Sequence, residues 1–286
     1  MKRIGITLGD AAGIGPEIVE AALNSPDLPS DFEWVVIGSY PKCLRGEPTP
    51  ETARAAAAAL EEAAKRALDG SIAAVVTGPI HKARMYEIGF EFPGQTEFFA
   101  SRSRVKNFAM LLTGGHLSVA LVTTHIPLRQ VPDSLTKEEI VRVGLLLETF
   151  LRSRLGRAPR IAVAGLNPHA GESGALGREE LEIIAPAVAE LQSPSTLFSG
   201  PFSPDTVFHH AVAGQWDGVL CMYHDQGLIP LKLHAFHGGV NVTLGLPFPR
   251  TSPDHGTAFE IAGQNLARPD SMIAAMKLAA ELAGKR

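Results

Sequence analysis

The sequence predicts an α/β architecture built on a substantially parallel sheet. Short apolar runs of strand length alternate with longer amphipathic stretches of helical period along the whole chain, the pattern of β-α-β units. Several of the apolar runs end in turns bearing glycine, histidine or carboxylate, where open α/β sheets bind their ligands. The composition agrees: 286 residues, 45% hydrophobic and 20% charged, suffice for one large or two moderate globular domains.

In chain order, strands are expected at 3–8, 34–37, 73–77, 117–123, 160–164 and 218–222. Each is short, rich in Val, Ile, Leu and Ala, and bounded by Gly, Pro, Asp or Ser. Helices are expected at 51–68, 137–155, 178–191 and 271–283. Thr136 with Glu139 forms a capping-box signature ahead of the second. The alanine-rich stretch 53–64 follows from helix propensity and is no low-complexity segment. Residues 43–50 read as a loop. Segments 193–206 and 245–256, rich in Pro, Gly, Ser and Asp, read as loops carrying function.

A net charge of −4 gives no electrostatic basis for nucleic acid or an anionic membrane. No apolar run approaches the roughly 18 residues of a membrane helix, and Met1-Lys2-Arg3 leads straight into a strand, so no signal peptide is expected. Cys43 and Cys221 are too few for a disulfide framework or a thiolate zinc site. The cytoplasm is the expected compartment.

The most informative feature is a set of three histidines, each just past an apolar run: His125 in LVTTHIPL, His169 in VAGLNPHAGES and His224 in VLCMYHDQG. Their wide spacing is not that of a zinc finger. If the fold gathers them, the expectation is a catalytic divalent cation with an open position. Asp205 and Asp225 are candidate carboxylates around it; alternatively they cap helices, and each histidine bonds only within its own loop.

Four further segments carry chemistry. The glycines of LGDAAGIGPEI permit a tight turn and close backbone approach, with Pro16 suited to a helix start. Their spacing is not the G-x-G-x-x-G dinucleotide fingerprint. TGPIHK is followed by PGQTEFF, in which Gln95 and Thr96 either face a polar substrate or start a helix with Thr96 as its cap. Lys232, Asn241 and Arg250 offer cationic and polar groups to phosphate or carboxylate. DHGTAFEIAG, with His255, Gly256 and Thr257, either holds part of a nucleotide or turns the chain. His81 and the remaining histidines read as structural or surface residues.

GDAAGIGPE, TGPIHK, GQTEFFA, TTHIPL, GLNPHAGE, SPDT, YHDQG, GVNVTLGLPFPRTS and DHGTAFEIAG together resemble the motifs of the 4-hydroxythreonine-4-phosphate dehydrogenase family, in that family's order, over nearly the whole chain. The resemblance implies a two-domain fold like that of isocitrate and isopropylmalate dehydrogenases, with a central cleft and not a Rossmann fold. It implies a first, discontinuous domain over 1–80 and 246–286 and a second over 81–245. The implied reaction is oxidation of a phosphorylated hydroxythreonine by NAD, with NADP as the alternative, followed by decarboxylation. His125, His169 and His224 fall on the family's metal ligands, the cation being zinc, magnesium, manganese or cobalt. Gln95, Thr96, Lys232, Asn241 and Arg250 fall on its substrate contacts; His255, Gly256 and Thr257 fall on the cofactor side. A homodimer with a shared site is implied, one histidine coming from the partner.

Three departures stand out. Gln95 occupies the histidine position of the family's GHTE pattern, and a glutamine cannot carry positive charge. Ala11 replaces a proline, and the region between Ile37 and Glu51 is shorter than usual. Gln95 keeps open a related dehydrogenase acting on phosphorylated threonate or erythronate, or on a cis-dihydrodiol carboxylate. A three-histidine zinc hydrolase is the reading from another class; the segment at 254–263 argues against it.

Overall fold

In a computed structural model, which describes residues 1–193 and 196–285, the chain runs β1 (Lys2–Thr7), α1 (Gly15–Leu23), β2 (Phe32–Ile37), α2 (Pro50–Leu68), β3 (Ala74–Thr77), α3 (Lys82–Glu87) and α4 (Gln95–Arg102). It continues through β4 (Ala109–Gly114), β5 (Leu117–Leu121), α5 (Val131–Ser134), α6 (Lys137–Leu155), β6 (Arg160–Ala164), α7 (Ala185–Leu191), β7 (Leu197–Phe202), α8 (Val207–Val212), β8 (Gly218–Cys221) and α9 (His224–Ala235). It closes with β9 (Val240–Leu244), β10 (Arg250–Pro253) and α10 (Asp270–Gly284). Two compact units result: Met1–Lys106 together with the stretch from Val240 onward, and Asn107–Gly239.

In the first unit the strand order is β2-β1-β3-β10-β9. β1 is parallel to both its neighbours, with Ile4 opposite Trp34 on one side and Ala74 on the other. β10 is parallel to β3 and antiparallel to β9. Ile4 and Ile6 are wholly buried, each stabilising the fold by about 1.5–3 kcal/mol relative to exposure. A parallel strand covered on both faces reads as a near-continuous apolar run, which is why β1 and β3 were visible in the sequence. α2 starts where the loop 43–50 ends, its cap being Thr49, whose hydroxyl accepts from Thr52 N at 3.2 Å. It buries an alanine face (Ala53, Ala56, Ala59, Ala63). α10 buries Met272, Ala275, Met276 and Ala279, and Thr251 of β10 donates to Ala275 O at 2.8 Å.

In the second unit the order is β4-β5-β8-β6-β7. Only the β4–β5 pair is antiparallel; β5–β8, β8–β6 and β6–β7 are parallel. α6 buries Ile140, Val143, Leu147 and Leu151, one stripe of a 3.6-residue period. Thr136 accepts from Glu139 N at 3.2 Å, one half of the expected capping box, while the Glu139 carboxylate accepts from Arg142 instead, and the helix ends at left-handed Gly156.

Two loop expectations are corrected. Segment 193–206, apart from 194 and 195, which lie outside the described residues, contains β7; segment 245–256 contains β10. The sequence LFSGPF hides its strand behind Gly200 and Pro201, residues tolerated where a strand pairs on one side only. β7 pairs with β6 alone within its unit. RTSP of β10 has no apolar alternation at all, and its burial is supported by hydrogen bonds from Arg250 and Thr251. The helix expected at 178–191 opens with one π-helical turn, Glu180–Ile184, before α7.

Asp217, just before β8, anchors this sheet end. It accepts from Arg157 at 2.6 and 2.9 Å and from Arg160 N at 2.7 Å. Burial alone would raise its carboxyl; those donors outweigh that and hold it at about 2. A depressed folded-state pKa gives stability that is present above the unfolded value near 3.9 and lost as pH falls toward about 2. Between about pH 4 and pH 2 the wild-type chain is therefore expected to lose more stability than Asp217→Asn, measured by denaturant titration at each pH.

Candidate active site

The second unit presents its histidines by zipping strand ends together. Beyond β5, Val122 N donates to Cys221 O (2.9 Å), and Thr123 donates to Met222 O through both its amide (3.1 Å) and its hydroxyl (2.7 Å). The segments leading to His125 and His224 are thereby held side by side, and the two imidazole rings lie 5.6 Å apart. His224 opens α9, and its Nδ1 is 2.7 Å from Asp225 Oδ1. This contact orients the ring through Nδ1 and leaves Nε2 as the nitrogen that a ligand role would use. Both histidines line a pocket of about 430 Å³ with Thr124, Ile126, Tyr223 and Asp225.

Gln226, buried two residues beyond His224, extends the zipper to the third loop. Its Oε1 accepts from Met222 N at 2.7 Å, and its Nε2 donates to Gly165 O at 2.6 Å. Gly165 leads through Leu166, Asn167 and Pro168 to His169. His169 does not join the other two: among the described residues no three His, Cys, Asp or Glu side chains form a group able to hold a metal. Exposed Asp205 accepts from the Ser203 hydroxyl. That bond, with a smaller contribution from the nearby His169, holds its carboxyl below the usual range. Neither Asp205 nor Asp225 caps the helix it precedes or opens. Lys232 lies in the last turn of α9, half-buried.

In the first unit the anion-binding candidates form one network. Arg250, 3% exposed at the start of β10, donates through one terminal nitrogen to Thr77 Oγ1 (2.6 Å) and Gln95 Oε1 (3.0 Å), and through the other to Thr243 Oγ1 (3.3 Å). Its guanidinium carbon sits 5.8 Å from the Phe99 ring centroid. Gln95 in turn donates to Gly78 O at 3.0 Å. Burial lowers the Arg250 pKa to about 10, with the charge of Glu97 opposing, so it remains a cation at neutral pH. All three hydrogen-bonded partners are neutral, and its Nε and the buried Asn241 Oδ1 have no partner. A buried cation among neutral groups is costly until an anion joins it. Thr96 does not cap its helix: Gly94 holds that position, and the Thr96 hydroxyl lies 3.3 Å from that of Thr243.

The glycine loop meets the DHGTAFEIAG segment in this unit. Ile14 N donates to Thr257 O and Asp10 N to Pro79 O, both at 2.9 Å. A Cβ on Gly15 would fall 1.8 Å from Leu8 O, so only glycine permits this close approach. Asp10 Oδ2 and His81 Nδ1 are buried without partners, and the His81 ring packs edge-on against Phe259, centroids 5.0 Å apart. His255 and Gly256 are exposed and Thr257 is buried. The contact with Phe259 gives His81 the structural role that the sequence suggests for it, with its Nδ1 left over as an unpartnered polar atom.

The described residues gather part of each donor set that the motifs imply. Two gathered imidazoles, one backed by a carboxylate, suit a divalent cation that completes its ligands elsewhere. Unpartnered Asp10 Oδ2 and His81 Nδ1, on the strand-end turns that approach Thr257, suit the polar rim of a nicotinamide nucleotide.

The family model for "Pyridoxal phosphate biosynthetic protein PdxA" matches residues 18–279. The chain belongs to this family. The 4-hydroxythreonine-4-phosphate dehydrogenase of Caulobacter vibrioides is 44% identical, over 100% of this chain and 98% of the relative. That alignment spans 331 positions against the 286 residues of this chain, so the relative carries segments absent here. The crystal structure of 4-hydroxythreonine-4-phosphate dehydrogenase from Klebsiella pneumoniae matches with a TM-score of 0.85 at 38% identity, covering 99% of this chain and 100% of the other. Isocitrate dehydrogenase from Methylococcus capsulatus matches with a TM-score of 0.62 at 16% identity, over 100% of this chain and 86% of the other, which shows the shared fold. This PdxA-family member is thus an oxidoreductase of the isocitrate dehydrogenase-like fold.

Replacing Gln226 by Leu strands both Met222 N–H and Gly165 O in a buried site. The expected cost is about 2 kcal/mol for two orphaned groups, read as a lower urea midpoint with an unchanged slope.

Proposed function

We propose that the chain oxidises 4-phosphooxy-L-threonine with NAD and a divalent metal, and that the product loses carbon dioxide to give 3-amino-2-oxopropyl phosphate, in pyridoxal phosphate biosynthesis. The observation that carries the reading is Arg250: a buried cation whose hydrogen-bonded partners are all neutral, in a chain whose relatives are named for a phosphorylated substrate.

Arg250, Asn241, Gln95, Thr96 and Lys232 hold the substrate's anionic and polar groups, and their preorganisation fixes the reacting carbon. His125, His169 and His224 hold the cation, one of them supplied by the partner subunit of a homodimer. A divalent cation held there would supply Lewis-acid chemistry at the alcohol oxygen and at the charge left by decarboxylation. The imidazole-rich set favours zinc or cobalt over magnesium or manganese. Asp225 keeps the His224 ring in its ligand orientation, and Asp205 and Asp225 are the carboxylates of the site that could take the alcohol proton. NAD, with NADP as the alternative, supplies the hydride acceptor, with His255, Gly256 and Thr257 on its side of the site. No helix among the described residues is long and apolar enough to cross a membrane, and we place the enzyme in the cytoplasm.

Gln95 favours a second reading, in which the substrate is a phosphorylated threonate or erythronate. Both ends of its amide are engaged, and it adds no charge to the network. NADH formation by purified protein with divalent metal, comparing 4-phosphooxy-threonine with these two acids, tests both. Turnover of the amino substrate supports the first reading, turnover of the acids alone supports the second, and no turnover of any sinks the dehydrogenase assignment. In the same assay Arg250→Ala is expected to raise KM for the anionic substrate about a hundredfold with little change for NAD. Equal rises for both would remove Arg250 from the substrate site.

A further inference from the structure

His169 stands at the head of an unusual piece of backbone. From His169 to Ser173 the φ angles are 52°, 52°, 77°, 43° and 57°, a full turn of left-handed conformation in which four of the five residues carry a side chain. L-residues visit this region as single residues and do not hold it in series. Such a stretch persists only where its surroundings over-determine it, so something must hold the turn.

The group in position to do so is Glu180. It is 3% exposed and opens the π-helical turn ahead of α7, a local feature found frequently at functional sites. Its Oε1 accepts from both Leu166 N and Asn167 N at 2.7 Å, and its Oε2 accepts from Asn167 Nδ2 at 3.0 Å. The carboxylate also lies flush against the turn itself. A Cβ on Gly171, mid-turn, would come within 2.6 Å of Glu180 Oε2, and one on Gly165 within 3.1 Å of Oε1. The neighbouring Arg178 pairs instead with Glu182. Glu180 is therefore a buried carboxylate facing three N–H donors. Only an acceptor-only group satisfies all three; a glutamine would turn an NH2 toward one or more of them.

We infer that Glu180 is a positioning residue whose carboxylate sets the left-handed turn and so presents His169 to the divalent cation. The inference rests on the reading of His169 as a metal ligand. With Gln226, which fixes Gly165 from the other side, Glu180 makes the GLNPH loop rigid before the metal arrives.

The test uses full-length, metal-stripped protein: wild type, His169→Ala, Glu180→Gln, Glu180→Asp, the double variant Glu180→Gln with Ala170→Gly, and the exposed control Glu182→Gln. Cobalt affinity and visible spectrum are measured by titration, and the His169 ring resonances are followed by NMR without metal. The expected result is a 10–100-fold loss of cobalt affinity in Glu180→Gln, the usual range for residues behind metal ligands, together with shifted His169 resonances. Glu182→Gln stays at the wild-type value. Glycine accepts positive φ without a steric penalty, so Ala170→Gly is expected to restore part of the loss, which it would not do if Glu180 merely supported the unit at large. Where Glu180→Gln does not fold, Glu180→Asp carries the test, because it keeps the charge but is too short to reach both amides and the turn. Wild-type affinity, spectrum and His169 resonances in a folded Glu180 variant would overturn the inference and leave the metal reading standing. Wild-type cobalt binding by His169→Ala, or none by the wild type, would overturn the metal reading and this inference together.

Discussion

The histidine-bearing end of the second unit depends on one amide side chain. Strands that stop at a site leave backbone groups without ladder partners, and buried groups of that kind must be satisfied. Gln226 does this for two loops at once, accepting from Met222 and donating to Gly165, while Thr123 completes the third. The positions of His125 and His224, and the approach of the GLNPH loop, are set by hydrogen bonds made behind them, through the backbone on either side of each loop. Sites whose ligating side chains are locked by such support are geometrically precise.

The first unit solves the opposite problem. Its central polar group is a cation with nothing negative bonded to it, held by threonine hydroxyls, a glutamine carbonyl and an aromatic face. These contacts fix where the guanidinium lies without neutralising it. A carboxylate partner would stabilise the empty protein and compete with any anionic ligand. The hydrogen-bonded partners are neutral and the charge is offset only from a distance by Glu97, an arrangement that an anion bonded to the guanidinium would complete.

Much of this was legible in the sequence. Strands covered on both faces, such as β1 and β6, declare themselves as apolar runs, and α2, α6 and α10 by their stripes. The three histidines stand out because each follows such a run, and the fold brings His125 and His224 together but not His169. β10 was not legible, since its residues are buried for polar reasons, and β7 was masked by Gly200 and Pro201. The supporting residues were invisible for a further reason: Glu180 and Gln226 act at 13–14 and 61 positions' remove, and no local period encodes such contacts. His81 lay in plain sight but was indistinguishable from a surface histidine until its burial against Phe259 was known.

The division of the chain also orders its assembly. The second unit is one unbroken stretch, whereas the first needs β10, which pairs with β3, and α10, which packs on both. During synthesis the ribosome therefore delivers everything the second unit requires before it delivers the middle of the first sheet. Until then β3 offers an unpaired edge, the kind of surface that invites aggregation. The nascent chain is most in need of protection while the residues from Val240 onward are still being made, and a truncation ahead of Arg250 removes the strand between β3 and β9, not a dispensable tail.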